Sequence, residues 1–139
     1  MNALILLHAK NLETTIKDML EVLGYKALET PEYARPENIT VQSGGKRFIP
    51  QENIDKLVDY YLQTKPDVTI MDVNYAFPGS DSPEHLELAL SLYSRAKENG
   101  KKFYALTGNP SAFRTASEKG IPLAPLNNPV PYLISELSR

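Results

Sequence analysis

The sequence contains no cysteine, which removes disulfides, thiolate metal sites and cysteine nucleophiles at once. Histidine is nearly as scarce, with His8 and His85 the only two. No apolar run approaches the roughly 20 residues that a membrane-spanning helix needs. The first such run, Ala3 to Leu7, is too short for the core of a secretory signal, and no basic segment precedes it. An excess of one charge is also missing. The net charge is −2, and Lys and Arg gather only as the pairs Lys46-Arg47 and Lys101-Lys102, so the chain carries no electrostatic footprint for nucleic acid. These absences lead to the expectation of a single domain over residues 1–139, cytoplasmic, with neither membrane nor nucleic acid as a partner. The apolar fraction of 42% is enough for one core.

What is present alternates between two periods. Ala3-Leu4-Ile5-Leu6-Leu7 is apolar without interruption, the pattern of a parallel strand covered on both faces. From Asn11, placed as an N-cap, Leu12, Ile16, Met19, Leu20 and Leu23 recur at helical spacing until Gly24 closes the helix. A short second strand over 25–28 follows. Residues 30–50 break the rhythm with Pro31, Pro36 and Pro50, and Ser43-Gly44-Gly45 marks the turn of a hairpin. "SGGK" is not a phosphate loop, because its glycine frame is too short, Arg47 follows the lysine and Pro50 comes too soon for a helix. A second long helix then carries Ile54, Leu57, Val58, Tyr61 and Leu62 on one face, and the strand Val68 to Met71 ends on Asp72. Ser82-Pro83-Glu84 opens a leucine-rich helix with Ser82 as cap, and His85 lies exposed in its first turn. Lys102 to Leu106 is the next strand, 111–119 a helix closed by Gly120, "IPLAPL" a proline-weakened last strand and 131–137 a closing helix.

The order predicts an α/β fold: a doubly wound sheet of five parallel strands between helices, a flavodoxin-like three-layer sandwich with a hairpin-like insertion at about 30–50. In such sheets ligands and chemistry collect beyond the C-terminal strand ends. His8, Asp72, Thr107 and Asn128 each stand just past a predicted strand, so they should converge. Each also has a plainer reading. Asp72 serves equally as a carboxylate accepting backbone N–H bonds in its own loop, Thr107 as a β-branched strand end, and His8 as a polar strand terminus.

These residues resemble the receiver domain of two-component response regulators over nearly the whole chain. "IMDVNYAFPG" matches the family's third strand, which implies Asp72 as phosphoacceptor and Asn74 as the residue whose carbonyl helps hold Mg²⁺. "FYALTGN" supplies Thr107 and Gly108 after the fourth strand. "LNNPV" puts Asn128-Pro129 where the family has Lys-Pro, at a bond that the family often makes cis. The departures concern charge. The acidic pair that holds Mg²⁺ is replaced by His8-Ala9, the lysine by Asn128, and the switch aromatic by Pro125. Phosphoryl transfer depends on positioning and charge stabilisation, and each lost electrostatic contact costs on the order of 3 kcal/mol of barrier. The implied function is an atypical receiver-like signalling domain, not an enzyme, that acts as an interaction or regulatory module with weak or no phosphorylation of Asp72. No cofactor is expected, Mg²⁺ being disfavoured. The implied partner is a protein such as a histidine kinase or an output protein, with a homodimer through the apolar, proline-rich 121–133 region.

A different class uses the same edge: a small flavodoxin-like ligand-binding protein or enzyme. Against it, the loop after the first strand has no Ser/Thr/Gly run to cradle a phosphate, no G-x-G-x-x-G is present, and the Asp-x-His-x-x-Gly signature of cobalamin binding is missing.

Overall fold

The computed structural model describes residues 1–139. The chain runs β1 (Asn2–Leu6), α1 (Lys10–Val22), β2 (Lys26–Leu28), α2 (Pro36–Ile39), β3 (Val41–Ser43), β4 (Lys46–Phe48), α3 (Gln51–Thr64), β5 (Val68–Asp72), α4 (Glu87–Glu98), β6 (Lys102–Leu106), α5 (Pro110–Glu118) and α6 (Pro129–Leu137). Single 3₁₀ turns occupy Glu32–Ala34 and Pro83–Leu86. Four strands form one parallel sheet in the order β2-β1-β5-β6, while β3 and β4 pair antiparallel by themselves.

The uninterrupted apolar runs are explained by cover on both faces. Ala3, Ile5, Val68 and Ile70 turn to one side and pack with Ile16 and Leu20 of α1 and Leu133 of α6. Leu4, Leu6, Met71 and Phe103 turn to the other, against Leu57 of α3, Leu92 of α4 and Ala112 of α5. The result is a three-layer α/β arrangement with the sheet as its middle.

The sheet has four strands, not five. The expected last strand over 121–126 is reduced to one bridge between Ala105 and Leu123, in which Ala105 N–H donates to the Pro122 carbonyl and Ala124 N–H to the Ala105 carbonyl, each at 2.9 Å. Extending this ladder by one step toward the start of β6 would require the nitrogen of Pro122 to donate to Phe103, and proline has no N–H. The Asn128–Pro129 peptide is trans.

The hairpin forms as its glycines dictate. Gly44 and Gly45 adopt φ of 59° and 78°, the pair of positive angles that a two-residue hairpin turn requires, and Ser43 pairs with Lys46 across it. Helix starts differ from expectation at two places. Helix α1 begins at Lys10 after Ala9, so Asn11 lies inside it rather than capping it. Ser82 precedes a 3₁₀ turn and makes no side-chain cap bond. The effective cap is Asn109, whose Oδ1 accepts from Ser111 N–H at 2.9 Å and Ala112 N–H at 3.4 Å.

One polar contact in the core is incomplete. Thr69 Oγ1 and Tyr61 Oη neighbour one another between β5 and α3, yet both are buried outside hydrogen-bond geometry. Burial pushes the Tyr61 phenol up, with the Thr69 hydroxyl as a smaller opposing influence. Deleting both unpaired hydroxyls removes a desolvation cost and little else. The double substitution Thr69→Val with Tyr61→Phe is therefore expected to hold or raise stability, by up to about 1 kcal/mol in urea unfolding. A loss of that size instead would show that the hydroxyls are paired.

Candidate functional site

A strand covered on both faces has no solvent to receive its last polar residue, so Asp72 finishes β5 with only 5% of its surface exposed. The chain beyond it stays inside. Val73, Asn74, Tyr75 and Ala76 are all buried, which makes this turn part of the core on the α3–α4 side.

The ends of β1 and β5 are neighbours, with Leu6 beside Met71 in the register, and this brings His8 to Asp72. His8 N–H donates to Asp72 Oδ2 at 2.8 Å, and His8 Nδ1 stands 2.6 Å from the same oxygen. A carboxylate cannot donate, so Nδ1 carries the hydrogen and Nε2 is left toward solvent, consistent with a side chain one-third exposed (33%). Burial pushes the Asp72 carboxyl above its ordinary range, while the His8 backbone N–H and the imidazole charge pull it part of the way back.

The other residues expected at this edge have local duties. Asn74 is 3% exposed and donates from Nδ2 to the Ser80 carbonyl at 2.8 Å, while its own carbonyl accepts Phe77 N–H at 2.7 Å. Thr107 Oγ1 accepts Asn109 N–H at 3.1 Å, closing the turn in which Gly108 is exposed. Asn128 is exposed in a left-handed conformation, φ 53°, ahead of α6 and makes no cap bond. No hydrogen bond joins Thr107, Gly108 or Asn128 to Asp72; His8 alone reaches its carboxylate.

Two features were not foreseen. Tyr75 is buried at 4%, and its phenol is pushed well up by burial, with the charges of Glu13 and Glu37 adding to the effect. Its signal in the sequence was an aromatic three places after the strand's acid. His85 is half-buried rather than exposed: its ring stacks on Phe77 with centroids 3.7 Å apart and planes 11° from parallel, and its Nδ1 lies 2.6 Å from Ser80 Oγ.

The Mg²⁺ that the receiver resemblance implies does not fit these residues. It would need several oxygen ligands in octahedral geometry. Here Asp72 is the lone carboxylate at the ends of β1, β5 and β6, its Oδ2 is held by His8, and no three His, Asp or Glu side chains converge anywhere in the chain.

The structure defines a mixed α/β protein with a four-stranded parallel sheet, compatible with a flavodoxin-like fold. No helix is long and apolar enough to cross a membrane. No protein-family model matches the chain, and no curated protein matches it.

Proposed function

We propose that this chain is a receiver-like regulatory module that works through its surface, with the aspartate of its ancestral-type site closed by His8. The observation that carries the reading is the double engagement of Asp72 Oδ2 by His8, at 2.8 Å from the backbone N–H and 2.6 Å from Nδ1. An attacking carboxylate must present a lone pair to phosphorus in line with the leaving group, next to cations that take up charge. Burial, the imidazole clamp and the absence of acid neighbours and lysine oppose each requirement. The strand order β2-β1-β5-β6, with helices on both faces, supports the receiver-like part. The partner under this reading is another protein, a kinase or output protein, or a second copy meeting it through 121–133.

The test is chemical. Incubation with acetyl phosphate and Mg²⁺ is expected to leave the chain without a hydroxylamine-sensitive acyl phosphate by intact mass. A phosphorylated species that disappears in Asp72→Ala would refute the closed-site reading.

A specific observation favours a second reading, a small enzyme at the same edge. A histidine held at Nδ1 by a buried carboxylate, with Nε2 in solvent, is the arrangement of an oriented general base. No serine or cysteine nucleophile accompanies it, and for that reason it takes second place.

A further inference from the structure

A cleft of about 810 Å³ lies between the β3–β4 hairpin and the start of α4, and neither Asp72 nor His8 lines it. Its size falls in the range of small-molecule sites, roughly 300–1,000 Å³. One wall is the hairpin strand with Lys46, Arg47 and Phe48; the other carries Phe77, Glu84, His85 and Glu87. Lys46 and Arg47 form none of the chain's ion pairs. Phe48 is 44% exposed, an unusual placement for a phenylalanine with no covering element.

The hydrogen-bond pattern occupies one ring nitrogen of His85 and leaves the other to this space. Ser80 Oγ accepts Ser82 N–H at 3.2 Å, so its single hydrogen is free to go to His85 Nδ1, 2.6 Å away. When Ser80 donates in this way, Nδ1 is the acceptor and the ring hydrogen sits on Nε2, the tautomer that an approaching anion selects. Stacking on Phe77 at 3.7 Å then fixes the plane of the ring. The cleft thus combines a pinned imidazole, two uncommitted cations and aromatic surface, with the carboxylates of Glu84 and Glu87 also in its lining.

We propose that this cleft binds a planar aromatic anion of mononucleotide size, its ring on the Phe48 and Phe77–His85 surfaces and its anionic group toward Lys46, Arg47 and the His85 Nε2–H. Glu84 and Glu87 set the direction of binding, because they repel an anion and accept from ring amino groups. The site is independent of the Asp72 reading.

AMP serves as the probe, titrated into ¹⁵N-labelled protein, with adenosine (no anion) and inorganic phosphate (no ring) as controls. Saturable shifts are expected at Lys46 to Phe48, Phe77 and His85, with both controls weaker by about tenfold or more, the scale of one charge-assisted contact. His85→Phe keeps an aromatic ring over Phe77 but removes the donor, and Arg47→Gln removes one cation from an exposed position. Each is expected to weaken AMP about tenfold while the remainder of the spectrum is unchanged. Non-saturating shifts, shifts centred elsewhere, or variants and phosphate binding as well as the native protein with AMP would overturn the proposal.

Discussion

Replacing Ile70 by Ala is expected to cost about 4 kcal/mol of unfolding free energy, the largest effect of any single truncation considered for this fold. Ile70 is fully buried on β5, which is hydrogen-bonded on both sides, to β1 at Ile5 and to β6 at Tyr104. Its side chain packs in the cluster that joins the sheet to α1 and α6. Three lost carbons forfeit their transfer free energy, and the surrounding helices, anchored at both ends, cannot collapse into the gap. Against a total stability of about 5–15 kcal/mol for a domain of this kind, that loss leaves a marginal protein. Guanidinium unfolding should show the midpoint falling with the slope unchanged. Val22→Ala is the control: with 87% of its surface exposed, Val22 should be worth under about 0.5 kcal/mol. Equal effects at the two positions would contradict the layer assignment.

The second large effect concerns His8 and is tied to pH. Cutting a fully buried pair by removing one partner costs about 3–5 kcal/mol, because the other charge is stranded. His8 is one-third in solvent and its backbone N–H would stay on Asp72, so His8→Ala is expected to cost about 2 kcal/mol at neutral pH. The sign with pH follows from the direction of the Asp72 shift. Its carboxyl is raised in the folded state by burial, so the native form holds its proton more tightly than the unfolded chain. Ionised Asp72 is therefore a net cost, absent below the unfolded-state value and fully present once pH has risen through the folded-state value. Asp72→Asn should stabilise the protein at neutral pH, its Oδ1 still accepting from His8, and this advantage should fade on acidification through that window. In the His8→Ala, Asp72→Asn double variant the penalty of His8→Ala should largely vanish, which a double-mutant cycle reads directly. Additive effects that do not vary with pH would remove the electrostatic account of the pair.

How far the sequence foretold this arrangement depends on the range of the determining interaction. The central strands were legible because continuous apolar runs such as Val68 to Met71 have few other destinations. The hairpin was legible because two adjacent glycines with positive φ are a local demand. Helix starts were less so: an asparagine near a boundary looks equally apt at 11 and at 109, and only the second makes the bonds. The truncated last strand could be suspected from its prolines, but its pairing partner, and hence which N–H would be missed, depends on β6. At the candidate site, Asp72 at a strand end was visible, whereas its clamp was not. The clamp joins residues 64 positions apart and rests on the side chain of His8 turning toward the sheet's axis. The role of Asn74 was hidden for the same reason, since its side chain faces Ser80 and not the strand ends.

The single bridge that stands in for a fifth strand has a consequence for how the molecule opens. The segment from Ile121 onward is stitched to the sheet by two backbone hydrogen bonds at Ala105 and anchored by Leu133 and Leu137 in the core. Every other strand boundary in the sheet carries a longer register of paired residues. Free energy of opening scales with the bonds and apolar contacts that must be given up together. Of the segments paired to the parallel sheet, the last 19 residues are therefore the one held by the fewest backbone bonds. A chain built this way can exchange its C-terminal amides, and bare the flank of β6, while the four strands stay paired and the α3–α4 face of the sheet stays covered.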